Sequence, residues 1–314
     1  MTVELIEEAT APPRTPRRPS KKSNARRNRT GWAFVAPFAI IFLALLIVPL
    51  LYALYLSLFQ KSLVGGTRFV LFGNYLKAFT DPNFLDGVWF VISFSLVLIP
   101  LQMAISLAIA LILDLVTTSF ARFSRLMIFL PYAIPAVIGA LMWGFLYSRN
   151  FGPIADIFAA FGATGPDLLS KNLIFYGLLN IVTWQWAGYY MIIIYAALQG
   201  IDPTLYEAAR IDGASQWQII LRVKIPLLTP ALLLILVFAL IGTLQFFNEP
   251  QILQQLAAGA IPNDFTPNMY AYQQAFSLAN YNYGATISFA LGAVVFVCVY
   301  IFLFATRKRG SITS

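Results

Sequence analysis

Two groups of residues in this 314-residue chain have types and spacings that could do work. The first is the polar stretch 202–226, which carries Glu207, Ala208, Ala209, Asp212 and Gly213. Asp202 suits a helix N-cap and Pro203 a first helical position, so a short helix is predicted over 204–211. Gly213 then lets the backbone turn, and Ser215 can cap a second helix that ends before Pro226. One charge beside two very small side chains suits close docking against another surface. A solvated connector between two apolar segments fits the same periodicity.

The second group consists of polar and aromatic residues embedded in apolar runs. Gly242, Gln245 and Glu249 fall on one helical stripe beside Phe246 and Phe247, an arrangement that could line a hydrophilic path for a hydroxyl-rich solute. In the run 173–198, Asn180, Thr183, Trp184 and Ala187 share one helical face, and Gln185 and Tyr189 share another. At most one of these sets can face such a path, and the Asn180 and Trp184 face is the one preferred here. Aromatic faces suit sugar rings, and they suit neighbouring helices equally well.

Catalysis by this chain is not expected. It has no histidine, and its single cysteine, Cys298, lies in the last apolar run, so neither a Cys/His metal site nor a disulfide framework is available. No Gly-x-x-x-x-Gly-Lys-Ser/Thr loop occurs to cradle a phosphate, and no Gly-x-Ser-x-Gly turn occurs to present a nucleophile.

The elements that must position these residues are set by solvent. Hydrophobic residues make up 59% of the chain and charged residues 11%, against about 25% charged in soluble domains. Lipid is therefore the medium for most of it, and long unbroken apolar runs select helices over a barrel. A hydrocarbon core of about 30 Å needs about 20 helical residues. Six runs qualify: 32–59, 88–113, 126–147, 173–198, 228–247 and 285–305. The first is too long for the core of a secretion signal and is expected to remain as an anchor. Residues 151–161 space their apolar side chains for one helical face, which fits either a helix lying along the membrane surface or a packed loop.

The formal net charge of +8 is a matter of topology rather than of nucleic-acid binding. Lys and Arg concentrate in the tail before residue 31, at Arg122 and Arg125, at Arg210, Arg222 and Lys224, and at 307–309. The alternate loops hold only Lys61, Arg68, Lys77, Arg149 and Lys171. Cytoplasmic segments retain positive charge, so both termini are placed in the cytoplasm. The tail 1–31 is too polar to fold alone and is expected to be disordered; its basic run also suits anionic lipid headgroups. The organisation expected is thus a tail over 1–31, an all-α membrane domain over 32–306 with the polar loop 202–226, and a short tail over 307–314.

The loop supplies a resemblance. Glu207-Ala208-Ala209, Gly213 and Val223-Lys224-Ile225-Pro226 match the spacing of the EAA loop of binding-protein-dependent ABC import permeases, with aliphatic exchanges only. Asp212-Gly213-Ala214 and the pair Pro226 and Pro230 resemble its sugar-importer version. Trp32 to Pro37, Tyr52 to Ser57, Phe72 to Tyr75, Asp81 to Phe84 and Leu130-Pro131 also resemble the first permease of carbohydrate or glycerol-phosphate importers. Leu256 to Pro262 departs from that family, which usually has Thr-x-Gly-Gly-Pro there. The resemblance implies a type I importer permease in a bacterial inner membrane. Its partners would be a second homologous permease, two ATP-binding subunits, an extracytoplasmic solute-binding protein and a small, carbohydrate-like solute. It further implies that Glu207, Ala208, Ala209, Asp212 and Gly213 couple to the ATPase, that this chain binds no cofactor or metal, and that ATP and Mg sit on the partner subunits. A self-contained secondary transporter or channel is the rival, weakened because Asp114 and Glu249 both lie at span ends.

Overall fold

The computed structural model describes residues 21–62, 65–115, 119–149 and 152–310. It is predominantly helical, and five of its helices are long and apolar enough to cross a membrane, or six if one bent pair counts as a single span. The chain divides into two compact units at Ala53. In the first, helix α1 (Lys21–Phe42) continues through a π-helical turn, Leu43–Ile47, into α2 (Val48–Ser57). Residues 1–20 of the predicted tail lie outside the described residues, whereas the backbone of 21–31 is already helical.

The second unit begins within α2. Its first elements are a two-stranded antiparallel hairpin, β1 (Phe59–Ser62) with β2 (Gly66–Phe69), in which Phe59 pairs with Phe69. The first span was expected to include Phe59. The strand takes Phe59 instead, packing its ring 5.2 Å from that of Phe69. A short helix, α3 (Gly73–Ala78), then leads into α4 (Pro82–Leu115).

The predicted third span is two helices, α5 (Ser119–Ala133) and α6 (Ala136–Leu146). They are bent by 96° at a break next to Pro135, whose missing N–H and fixed φ prevent the ladder from continuing. The segment after it, predicted as a surface helix or a packed loop, contains the helix α7 (Pro153–Ala160). Then come α8 (Ile174–Gln199), α9 (Thr204–Ile211) and α10 (Gln216–Ile219). A π-helical turn, Ile220–Lys224, joins α10 to α11 (Ile225–Leu244), which is followed by α12 (Asn248–Leu253), α13 (Pro267–Tyr272) and α14 (Tyr281–Gly310).

Helix α8 is the centre of the packing, lying against α4, α5 and α11. Lipid tails are as apolar as the side chains, so helices associate in a bilayer through close packing and interhelical hydrogen bonds. Both occur here. Gln102 Nε2 donates to the Val182 carbonyl at 3.0 Å and Ser106 Oγ to the Ala187 carbonyl at 2.9 Å, one helical turn apart on α4. Such bonds contribute about 0.6 kcal/mol each in membrane helices. Gly188 lets α5 approach so closely that an added Cβ would sit 1.9 Å from the Ile128 carbonyl oxygen. One buried cluster gathers Phe94, Leu98, Ile181, Leu253 and Ile287, and a second gathers Met191, Ile194, Leu228 and Ile235.

At the end where α4 begins, Asp81 ties three elements. Its Oδ2 accepts from the hydroxyls of Tyr270 and Tyr283, each at 2.7 Å, and its Oδ1 accepts from the Asn83 N–H at the start of α4. Burial works to raise its pKa. The two tyrosine hydrogen bonds, the Asn83 N–H and the charge of Lys77 outweigh that and hold it below the usual value.

Candidate functional site

A cavity of about 370 Å³ opens where α8, α11 and the start of α12 meet. Its walls follow from two local features. On α8, Val182, Trp186, Tyr189 and Tyr190 recur at helical spacing and share one face. The Tyr189 ring stacks on Tyr132 of α5 at 4.4 Å with the planes 16° apart, and Trp186 meets the edge of Tyr132 at 5.3 Å. These faces form one wall.

The opposite wall comes from a break in the fifth long helix. Helix α11 ends at Leu244 and α12 starts at Asn248, with Phe247 at φ −147° and ψ −52°. Gln245, Phe246, Phe247 and Glu249 all line the cavity. A continuous helical stripe was predicted for Gly242, Gln245 and Glu249; the residues converge through the broken backbone instead. Helical hydrogen bonds lost at such a break must be replaced locally in a membrane. Asn268 Nδ2 does so by donating to the Gln245 carbonyl at 2.8 Å. Phe246 is buried and stacks on Phe94 at 5.1 Å, fixing that wall to α4.

Asn180 and Trp184 take no part in the lining. Asn180 Nδ2 donates to the Tyr147 hydroxyl at 2.7 Å, and Trp184 meets the edge of Trp143 at 5.7 Å. Their face of α8 packs toward α6, where the Trp184 ring also lies beside Gly139. The cavity is lined instead by the face that includes Tyr189, together with Gln102 and Tyr132, which sequence reasoning did not single out. The i, i+3, i+4 recurrence of Trp186, Tyr189 and Tyr190 was the available signal for that face. Glu249 is buried and is the one charged residue among those lining the cavity.

The second region is the elbow 202–226. The Thr204 N–H donates to Asp202 Oδ1 at 2.9 Å, so Asp202 caps α9 as expected. That hydrogen bond and a side-chain bond from Thr204 hold the Asp202 pKa below its ordinary value. Helix α9 ends at Ile211, Gly213 takes φ +79°, and the Ala214 N–H returns to the Ala209 carbonyl at 2.9 Å. Ser215 and Gln218 then form a reciprocal capping box. The second arm does not stop before Pro226. Its π-helical turn absorbs the missing N–H of Pro226 and carries the helix on into α11, so the second arm of the elbow and the fifth span are one continuous piece.

Glu207, Ala208, Asp212 and Gly213 lie on the exposed side of the elbow, while Ala209 and Tyr206 turn inward and are half-buried. Ile211, one turn after Glu207 on α9, is 87% exposed and Trp217 on α10 is 72% exposed, so the elbow presents large apolar side chains as well as the Glu207 charge. On the inward side, Lys224 pairs with Asp114 at the end of α4, and Gln199 Nε2 donates to the other Asp114 oxygen at 2.9 Å.

Residues 104–308 match the family model described as binding-protein-dependent transport system inner membrane component. The lactose transport system permease protein LacF of Rhizobium radiobacter is 30% identical over 283 residues, covering 89% of this chain and 94% of the relative. The sulfoquinovosyl glycerol transport system permease protein SmoG of Agrobacterium fabrum is 29% identical, covering 87% and 89%. Among solved structures, a chain of a bacterial alginate ABC transporter in complex with an alginate pentasaccharide-bound periplasmic protein superposes with a TM-score of 0.80. It shares 22% identity and covers 91% of this chain and 96% of that one.

Proposed function

We propose that this chain, which belongs to the family of binding-protein-dependent transport system inner membrane components, forms half of a translocation path for a neutral, hydroxyl-rich solute of the carbohydrate class. The cavity carries this reading. Stacked tyrosine and tryptophan faces suit the apolar faces of sugar rings, and Gln102, Gln245 and Glu249 offer partners for hydroxyls. No basic residue is among those lining the cavity, which disfavours phosphorylated or carboxylated solutes. Relatives named for lactose and for starch degradation products support the carbohydrate class.

The elbow couples the path to ATP hydrolysed, with Mg, on two partner subunits, Glu207, Ala208, Ala209, Asp212 and Gly213 forming the docking end. A second permease completes the path, a solute-binding protein delivers solute from outside, and both termini are cytoplasmic. The exposed apolar side chains of Ile211 and Trp217 on the elbow support docking over a solvated connector.

The test is uptake by the transporter reconstituted in liposomes with its permease, ATPase and binding-protein partners. Uptake is expected to require the ATPase subunits and ATP, to be lost in Glu207→Lys, and to be competed by neutral sugars more strongly than by their phosphate esters. Uptake driven by an ion gradient without ATPase subunits would identify a self-contained secondary transporter and sink the proposal. Preferred competition by sugar phosphates would sink the solute assignment alone.

A further inference from the structure

The inward side of the elbow carries a charge pair that docking does not explain. Lys224 Nζ meets Asp114 Oδ2, and both side chains are largely removed from solvent, with 6% and 12% of their surfaces exposed. Asp114 lies at the C-terminal end of α4, where the helix dipole disfavours a carboxylate. It is held there by the ammonium of Lys224 and by the amide of Gln199, the last residue of α8. The same ammonium sits 4.9 Å from the centre of the Tyr206 ring, which is the inward-facing aromatic of α9. Four side chains, Asp114, Gln199, Tyr206 and Lys224, thus join α4, α8, α9 and the turn leading into α11 at one point.

The covalent links to α9 are poorly suited to carrying force. Gly200 precedes it and Gly213, at φ +79°, follows it. A push on α9 reaches the spans through what α9 touches. The Tyr206 hydroxyl is buried without a hydrogen-bond partner, so the ring face is what engages Lys224.

From this arrangement we propose that Asp114, Lys224 and Tyr206 form a latch through which displacement of α9 is delivered to α4 and α11, making them positioning residues for transport. The proposal rests on the reading of the elbow as the ATPase-coupling element. Breaking the latch leaves α9 able to dock and the ATPase able to turn over, while the spans no longer follow.

The experiment measures solute taken up per ATP hydrolysed by the complete reconstituted transporter. Tyr206→Phe keeps the ring and is expected to match the parent. Tyr206→Leu removes the ring and leaves the Asp114–Lys224 pair intact. It is expected to lower uptake per ATP by about fivefold or more, the lower range for coupling between sites, with ATPase activity retained. Replacing both charges, Asp114→Leu with Lys224→Leu, avoids an orphaned buried charge and is expected to uncouple in the same way. Parent-like uptake per ATP in Tyr206→Leu overturns the latch, as does equal loss in Tyr206→Phe and Tyr206→Leu. If the parent complex shows no ATP-dependent uptake at all, the coupling reading itself has failed, which is a different result.

Discussion

Gly188→Ala tests how the cavity wall is built. The added Cβ would lie 1.9 Å from the Ile128 carbonyl oxygen, 2.7 Å from the Ile128 carbonyl carbon and 3.1 Å from the Phe129 Cα. Carbon and carbonyl oxygen settle at about 3.3 Å, so α5 and α8 must separate locally by about 1.4 Å. Overpacking of this kind costs about 1–3 kcal/mol. The displaced segment also carries Tyr132, one turn beyond Ile128, and the separation disrupts its 4.4 Å stack on Tyr189. That stack is worth a further 0.5–1.5 kcal/mol or so, giving a total of roughly 2–4 kcal/mol. Thermal inactivation of the purified transporter measures the loss, with Gly292→Ala as control because a Cβ there meets nothing within 4 Å. The obstacle is backbone, so trimming the neighbouring side chain with Ile128→Ala should restore neither stability nor uptake. Restoration by that second substitution, or a Gly188→Ala protein as stable as the Gly292→Ala control, would refute the geometry.

Two further outcomes follow from the loops. Because the Asp81 pKa is depressed in the folded protein, the ionised carboxylate stabilises the fold at pH values above its unfolded pKa of about 3.9, and that contribution is lost as pH falls through the lower folded value. Thermal stability scanned downward from pH 5 should therefore decline less steeply in Asp81→Asn than in the parent, and parallel curves would count against the tyrosine clamp. Gly213→Ala places a side chain at φ +79° with no steric contact nearby, so the cost is conformational, about 1–2 kcal/mol, and should appear as faster proteolysis at the elbow with the spans intact.

The limits of the sequence lie where backbone geometry departs from an ideal helix. Helix type and approximate extent for α4, α8 and α14 follow from apolar length alone, because lipid leaves the backbone no alternative. The caps of the elbow were equally legible, since Asp202, Gly213 and Ser215 act through their immediate neighbours. The 96° bend beside Pro135 and the break after Leu244 were not, because proline can be absorbed or can end a helix depending on the packing around it. Pro226 is absorbed by a π-helical turn, whereas Pro250 lacks the N–H that a continued helix would aim at the Phe246 carbonyl, and the break before it is closed by Asn268, 23 residues beyond Gln245. The sequence pointed to the Asn180 and Trp184 face of α8, which does not line the cavity, for a related reason. Trp184 and Trp186 are equally amphipathic in the sequence, and what separates them is that Trp143 of α6 meets the first while Tyr132 of α5 meets the second. Lys224 shows the same dependence at its sharpest. Counted as a topological charge, it marks a cytoplasmic loop; only the fold brings Asp114, 110 residues earlier, against it, and that juxtaposition turns a charge that sets orientation into one that can carry force.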